Sequence, residues 1–335
     1  MDTVSDKIFE LEKLIGNTPL IEINFTYKEK KLKIFSKLEH YNFTGSIKDR
    51  IALYILKKAY LENRIKENYT ILEATSGNTG ISFAAIGKYL GNKVEIYMPD
   101  WMSVERQKIL KSFGAKVNLI SKDEGGFLEC IVKTIERSNK SNNIFLPSQF
   151  SNEDNYYSHY ISTAPEIINQ LQKHKLTPSA FVSGVGTGGT IMGVGRFFKD
   201  YDSSIKVFPI EPSNSPTLST GNVIGAHRIQ GIMDEFIPPI LKLKELNSII
   251  PVNDGDAIIM AQKLSSVLGL GVGISSGANF IGAIKTFDYL EDNSIIVTVF
   301  PDDNKKYLST DLMKEEPIKK DYISPKINLT GIRVL

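Results

Sequence analysis

Short runs of β-branched and apolar residues alternate along this chain with longer segments whose apolar positions recur every three to four residues. The runs 33–38, 70–74, 93–98, 116–120, 143–146, 180–183, 206–210, 248–252 and 294–300 read as strands. The periodic segments 46–63, 79–90, 103–113, 124–138, 158–173, 189–199, 255–268 and 276–291 read as helices. Leu11 to Asn24 reads as a lead-in. This alternation predicts an α/β protein with mainly parallel sheets covered by helices on both faces. So many strands suit two open sheets better than one, with a barrel as the alternative. Ligands of open α/β sheets gather at the carboxyl ends of strands, so the strand-to-helix turns are the places to look for chemistry.

One helix start stands out. After Thr44 and Gly45, the positions Ile47, Ile51, Ile55 and Ala59 form a four-residue apolar stripe. Ser46, followed three residues later by Asp49, reads as an N-cap with its capping box. Lys48 therefore falls in the first turn, where the helix dipole disfavours a cation. A surface lysine reaching into solvent is the ordinary explanation. The chemical one is an amine kept neutral, a nucleophile able to form a Schiff base.

Three further turns carry candidate chemistry. Thr75-Ser76-Gly77-Asn78-Thr79-Gly80 offers hydroxyls, an amide and free N–H groups at a helix start, a nest suited to a carboxylate or another anion. Gly184-Val185-Gly186-Thr187-Gly188-Gly189-Thr190 lets the backbone wrap closely around a phosphate. It also satisfies the dinucleotide pattern through Gly184, Gly186 and Gly189, with Glu211 at the end of the next strand, so a nicotinamide-dependent dehydrogenase is a rival reading. Gly273-Ile274-Ser275-Ser276-Gly277-Ala278 places Ser275 at the start of a helix.

Composition narrows the classes. With 335 residues, 41% of them hydrophobic, the chain can bury a large core and is expected to form two domains. A formal charge of +2, from 40 basic and 38 acidic residues, points to neither a nucleic-acid nor a membrane partner. No apolar run approaches the roughly 20 residues of a membrane span. The acidic start from Met1 to Asp6 lacks the apolar segment of a signal peptide. Cys130 is the only cysteine, expected as a small buried hydrophobe, which excludes an internal disulfide and any multi-cysteine metal site. The expectation is a soluble, cytoplasmic globular protein without a metal.

Together these stretches resemble the β family of pyridoxal-phosphate enzymes, the cysteine synthase and cystathionine β-synthase group. The resemblance covers Ile15 to about Phe300 and includes Ile15-Gly16-Asn17-Thr18-Pro19-Leu20 and Ser148-Gln149-Phe150. It implies fold type II, as in the tryptophan synthase β subunit: two open, mainly parallel sheets each covered by helices. It implies a larger cofactor domain, 1–45 plus 156–335, and a smaller mobile substrate domain, 46–155, in a homodimer acting on a small amino acid. It further implies that Lys48 holds pyridoxal 5'-phosphate as an internal aldimine and later serves as general base. Asn78 would meet the ring hydroxyl, Gly184 and Gly186 to Thr190 the phosphate, and Ser275 the pyridine nitrogen. Thr75, Ser76, Gly77, Thr79 and Gln149 would grip the substrate carboxylate. His159 is assigned no role.

The chain departs from that group at Gly231-Ile232-Met233-Asp234-Glu235-Phe236, where Met233, Asp234 and Glu235 replace three small residues in a substrate-facing loop. A carboxylate there can serve as base for water or a thiol and would repel hydrosulfide. Asn152 to Tyr157 differs as well. The reading that follows is β-replacement on L-cysteine through an aminoacrylate, releasing hydrogen sulfide and forming L-serine, or a thioether with a second thiol. Asp234 would be the base, and Glu235 is its neighbouring candidate. The alternatives are synthesis of cysteine from O-acetyl-L-serine and sulfide, the dehydrogenase, and a non-catalytic regulatory relative.

Overall fold

The computed structural model describes residues 3–232 and 235–335, so Asp234 and Met233 lie outside the described residues. Helix α1 (Val4–Leu14) precedes the hairpin β1 (Leu20–Tyr27) and β2 (Lys30–Leu38). Next come α2 (Lys48–Leu61), β3 (Thr70–Ala74), α3 (Asn78–Tyr89), β4 (Lys93–Pro99), α4 (Val104–Ser112), β5 (Lys116–Ile120) and α5 (Gly126–Ser138). After β6 (Ile144–Phe145) the chain forms α6 (Asp154–Ser158), a π-helical turn His159–Thr163, and α7 (Ala164–Lys173). It continues through β7 (Ala180–Gly184), α8 (Gly189–Tyr201), β8 (Lys206–Pro212), α9 (Thr217–Thr220), β9 (Ile250–Val252), α10 (Asp254–Leu268), α11 (Ile274–Lys285) and β10 (Ile296–Phe300). It ends in β11 (Asn328–Val334).

Two sheets result, in the orders β11-β1-β2-β10-β7-β8-β9 and β5-β4-β3-β6. All pairings are parallel except those of β1 with β2 and with β11. The larger sheet buries one face under α10 and α11, through Ile258, Leu264 and Phe280, and the other under α7 and α8, through Ile168 and Phe198. The smaller sheet packs Ile71 and Ile96 against α1 to α4, while Cys130 of α5 closes its other side, buried as expected. Burial pushes the Cys130 thiol up to about 12, so it is inert.

Three expectations need correction. Leu11 to Asn24 is no irregular lead-in: α1 begins with a Thr3–Asp6 capping box, and β1 pairs along its whole length with β2. The segment expected as one helix, 158–173, is interrupted by the π-helical turn, just ahead of Pro165, which has no N–H to continue the ladder. The Ser46–Asp49 capping box is absent. Ile47 occupies the cap position of α2 without a side-chain cap, and Asp49 instead accepts from the N–H and hydroxyl of Thr44 at 2.6 and 2.5 Å.

That last difference places the site. Ile47 packs into the core of the larger sheet, whereas Ala52, Ile55 and Ala59 of the same helix pack into that of the smaller one. Lys48 thus stands at the seam between the two cores. The start of α2 is stitched to the end of β10, because the Ile47 N–H donates to Pro301 O at 2.9 Å and Ser46 bridges Asp302.

Candidate active site

One cavity lies along this seam, at the carboxyl ends of β3 and β7. It gathers Lys48, Thr75, Ser76, Asn78, Thr79, Gln149, Gly184, Gly186, Thr187, Gly188, Gly189, Thr190 and Ser275, drawn from separate stretches of the sequence between positions 48 and 275. Two expected residues do not line it. Gly77 turns its α-carbon toward Arg106, and Glu235 faces a neighbouring, larger cavity beside Trp101 and Phe127. The two cavities share Ser76, Gln230, Gly231 and Ile232, so the departing loop does border the candidate site.

The turn after β3 is held by its own side chains. Thr75 Oγ1 accepts from the Gly77 N–H at 3.0 Å. The Thr79 hydroxyl donates to Gln149 Oε1 at 2.7 Å, and Gln149 Nε2 donates to Ala74 O at 2.8 Å. Behind them Glu73 accepts from the N–H groups of Ala74 and Gln149 at 3.0 and 3.2 Å. Burial pushes its carboxyl up to about 8, against those backbone donors. Asn155 joins this turn to the next by donating to Gln149 O at 2.7 Å and Thr187 Oγ1 at 2.9 Å.

Gly186 and Gly189, in the turn after β7, leave no room for a side chain. A Cβ on Gly186 would collide with the Gly231 carbonyl oxygen, and one on Gly189 with the Asn155 amide. Gly188 caps α8 at φ +88°, a left-handed conformation that favours glycine. The first N–H groups of α8 have no intrahelical partner and point to an anion at the helix start. Thr190 Oγ1 lies 3.3 Å from Nε2 of the buried His159, whose Nδ1 meets Thr163 at 2.9 Å. Burial, then the Lys48 and Arg50 charges, holds this imidazole well below its usual value, hence neutral.

The Lys48 amine is lowered to about 8 by burial, opposed by the negative charge of Asp302. It is therefore partly neutral near physiological pH, as a nucleophilic lysine must be. The cavity fits a phosphorylated carbonyl compound: an anion cradle at α8, a lysine of lowered basicity, and Asn78 Oδ1, a buried acceptor without a partner among the described residues. Glu211, required by the dehydrogenase alternative, is spent on the N–H groups of Leu218 and Ser219 at 2.9 and 3.1 Å.

Several residues of the site went unrecognised in the sequence. Arg106 and Gln230 line the cavity and hydrogen-bond each other. Asp302 accepts from Asn78 Nδ2 at 2.7 Å and from the Tyr307 hydroxyl at 2.5 Å. Asp302 did carry a signal, since it follows the carboxyl end of β10, the kind of position that singled out the other turns. Arg106 carried one too, being a cation in the first turn of α4, where the helix dipole disfavours it as it does Lys48.

The class defined by this fold and cavity is confirmed by comparison. The chain belongs to the pyridoxal-phosphate dependent enzyme family, whose model matches residues 11–302. Its cofactor is pyridoxal 5'-phosphate. Over 99% of both chains it superimposes on the crystal structure of a hydrogen sulfide-producing enzyme from Fusobacterium nucleatum, with a TM-score of 0.96 and 56% identity. A variant of that enzyme is known in complex with an α-aminoacrylate intermediate. Cysteine synthase B of Campylobacter jejuni is 41% identical over 90% of this chain and 98% of its own. A second hydrogen sulfide-producing enzyme of F. nucleatum is 38% identical, with a TM-score of 0.82 over 89% of this chain and 99% of its own. Among the described residues no helix is long and apolar enough to cross a membrane.

Proposed function

We propose that this enzyme performs β-replacement on L-cysteine, releasing hydrogen sulfide and forming L-serine, or a thioether when a second thiol takes the place of water. The observation that carries the reading is the 56% identity, over 99% of both chains, to a hydrogen sulfide-producing enzyme, against 41% to a cysteine synthase.

Bound pyridoxal phosphate supplies the electron sink that lets the substrate Cα–H bond break and the β-substituent leave. The residues of this chain do the rest. Lys48 anchors the cofactor, and its amine, once released, removes the Cα proton. Gly184 and the turn Gly186 to Thr190 hold the phosphate, Asn78 the ring hydroxyl, and Ser275 the pyridine nitrogen. Thr75, Ser76, Thr79 and Gln149 hold the substrate carboxylate, while the N–H of Gly77 is taken up by Thr75 Oγ1 and shapes the turn. Asp234 takes the proton from the water or thiol that adds at the β-carbon. Glu235 stands at the mouth of the neighbouring cavity and adds to the negative charge that disfavours hydrosulfide. The reading includes closure of residues 46–155 over the cavity, a homodimer and a cytoplasmic location.

The test is purified protein mixed with L-cysteine, with sulfide and serine followed together. Equimolar sulfide and serine are expected, and Asp234→Asn should slow serine formation most. Absence of sulfide, with cysteine formed instead from O-acetyl-L-serine and sulfide, would establish a cysteine synthase.

A further inference from the structure

Asp302 and Tyr307, both in the segment that follows β10, form a polar chain that meets the cavity-lining Asn78 from the far side of the seam. Asp302 is fully buried. Arg106 on α4 donates from Nη2 to the Tyr307 hydroxyl at 2.8 Å, and its guanidinium lies 4.7 Å from the centre of the Tyr307 ring. An arginine only donates, so the phenol oxygen accepts and its own proton is directed to Asp302, at 2.5 Å. Burial and the Asp302 charge keep the phenol proton in place. The carboxylate, an acceptor only, can receive nothing from Asn78 except an N–H, and Nδ2 stands 2.7 Å away. The amide therefore has one orientation, which leaves its second N–H and the unpartnered Oδ1 for whatever occupies the cavity.

Both contacts cross the seam. Asn78 and Arg106 belong to helices on the smaller sheet, Asp302 and Tyr307 to the segment that leaves the larger one. Arg106 also fills the space beside Gly77, where any Cβ would strike its side chain.

We propose that Asp302 is a positioning residue for the cofactor ring: it fixes the orientation of the Asn78 amide, and the Arg106–Tyr307 contact makes that orientation depend on the seating of one sheet against the other. The inference rests on Asn78 facing the ring. It adds that a buried carboxylate and a phenol, neither of which lines the cavity, govern how that amide presents itself.

The experiment uses the holoenzyme and the variants Asp302→Asn, Tyr307→Phe, Asn78→Ala and Asn78→Ala with Asp302→Asn. Folding is checked by circular dichroism, the dissociation constant of pyridoxal phosphate by ultrafiltration, and the visible absorption band of the bound cofactor by spectroscopy. Asn78→Ala and Asp302→Asn should displace the band in the same direction and weaken cofactor binding by about tenfold. Because Asp302 acts through Asn78, the double variant should be no weaker than Asn78→Ala alone. Tyr307→Phe should displace the band less and raise KM for the amino acid more than it lowers kcat. A band displaced by Asn78→Ala alone, with Asp302→Asn and Tyr307→Phe folded and within about twofold of wild type, overturns the relay and leaves the Asn78 assignment standing. An unchanged band in Asn78→Ala overturns both. If Asp302→Asn does not fold, Tyr307→Phe decides by the same criteria.

Discussion

Arg50 grips Glu39 with two hydrogen bonds, Nε to Oε2 at 2.6 Å and Nη2 to Oε1 at 2.8 Å, two residues after the candidate cofactor lysine. Its guanidinium also holds Glu166 of α7 at 2.7 and 2.8 Å, and Glu166 meets the buried Lys37 at 2.8 Å. The network therefore ties the first turn of α2 to β2 and α7. Buried ion pairs are weak evidence of net stabilisation, but removing one partner strands the other charge. Glu39→Gln should cost about 3–5 kcal/mol, read as a lower urea midpoint with an unchanged slope.

The same network sets an acid limit. Burial alone would raise the Glu39 and Glu166 carboxyls, but contact with Arg50 more than reverses this, and both titrate below their ordinary value of 4.5. A depressed carboxyl contributes stability that is present above its unfolded value and lost as pH falls through the folded one. Stability should hold above about pH 4.5 and fall below it, less steeply in Glu39→Gln.

The Lys48 amine, lowered to about 8, dictates the pH dependence of cofactor capture. Only the neutral amine attacks the carbonyl carbon, and its fraction grows as pH rises. The rate at which stripped protein recovers its visible band should climb close to tenfold per unit below about pH 8 and flatten above it. Stopped-flow absorbance checks the profile, and Lys48→Ala should abolish the band. A flat profile between pH 6 and 9 would remove the lowered amine from the account.

The glycine turn makes a steric prediction. The α-carbon of Gly186 lies against the Gly231 carbonyl, a backbone atom that cannot swing aside as a side chain would. Gly186→Ala must therefore move either the turn or the departing loop. Cofactor affinity should fall by at least about tenfold, since an anion site built from backbone N–H groups depends on their placement. Gly331→Ala, with open space around its α-carbon, is the control and should bind as wild type does. Equilibrium titration with pyridoxal phosphate measures both.

Most of the frame was legible because parallel strands and their helices announce themselves by period and by turn residues. The β1–β2 hairpin did not. Its turn residues, Lys28 and Glu29, adopt φ of +48° and +64° without the Asn-Gly pair that usually marks such turns. The tail strand β11 was hidden because it is an edge strand whose partner, β1, lies at the other end of the chain. In the site, residues that follow a strand or start a helix could be read in order, from Lys48 to Ser275. The contact between Arg106 and Tyr307 could not, because it is set by the meeting of two sheets, and no local pattern encodes that meeting. The Ser46–Asp49 box failed where local propensity met a stronger tertiary contact: Ser46 bridges Asp302, its hydroxyl accepts from the Lys48 N–H at 3.3 Å, and Thr44 takes over the carboxylate of Asp49.

Gln149 offers a test of substrate anchoring. Its side chain is immobilised at both ends, by the Thr79 hydroxyl at 2.7 Å and by Ala74 O at 2.8 Å, and it is nearly fully buried while still lining the cavity. A side chain so constrained loses little freedom when a carboxylate arrives, so its contribution falls on binding of the ground state and transition state alike. Gln149→Ala should raise KM for the amino acid by roughly 10- to 150-fold, the range for a hydrogen bond to a charged group, and change kcat by less. Thr79→Val, which removes only the hydroxyl that orients the amide, should show a smaller rise of the same kind. The two variants together should be less than additive, because both act on one contact. Sulfide release at varied cysteine concentrations supplies the constants. A fall in kcat with KM unchanged would place Gln149 in the chemical step instead of at the carboxylate.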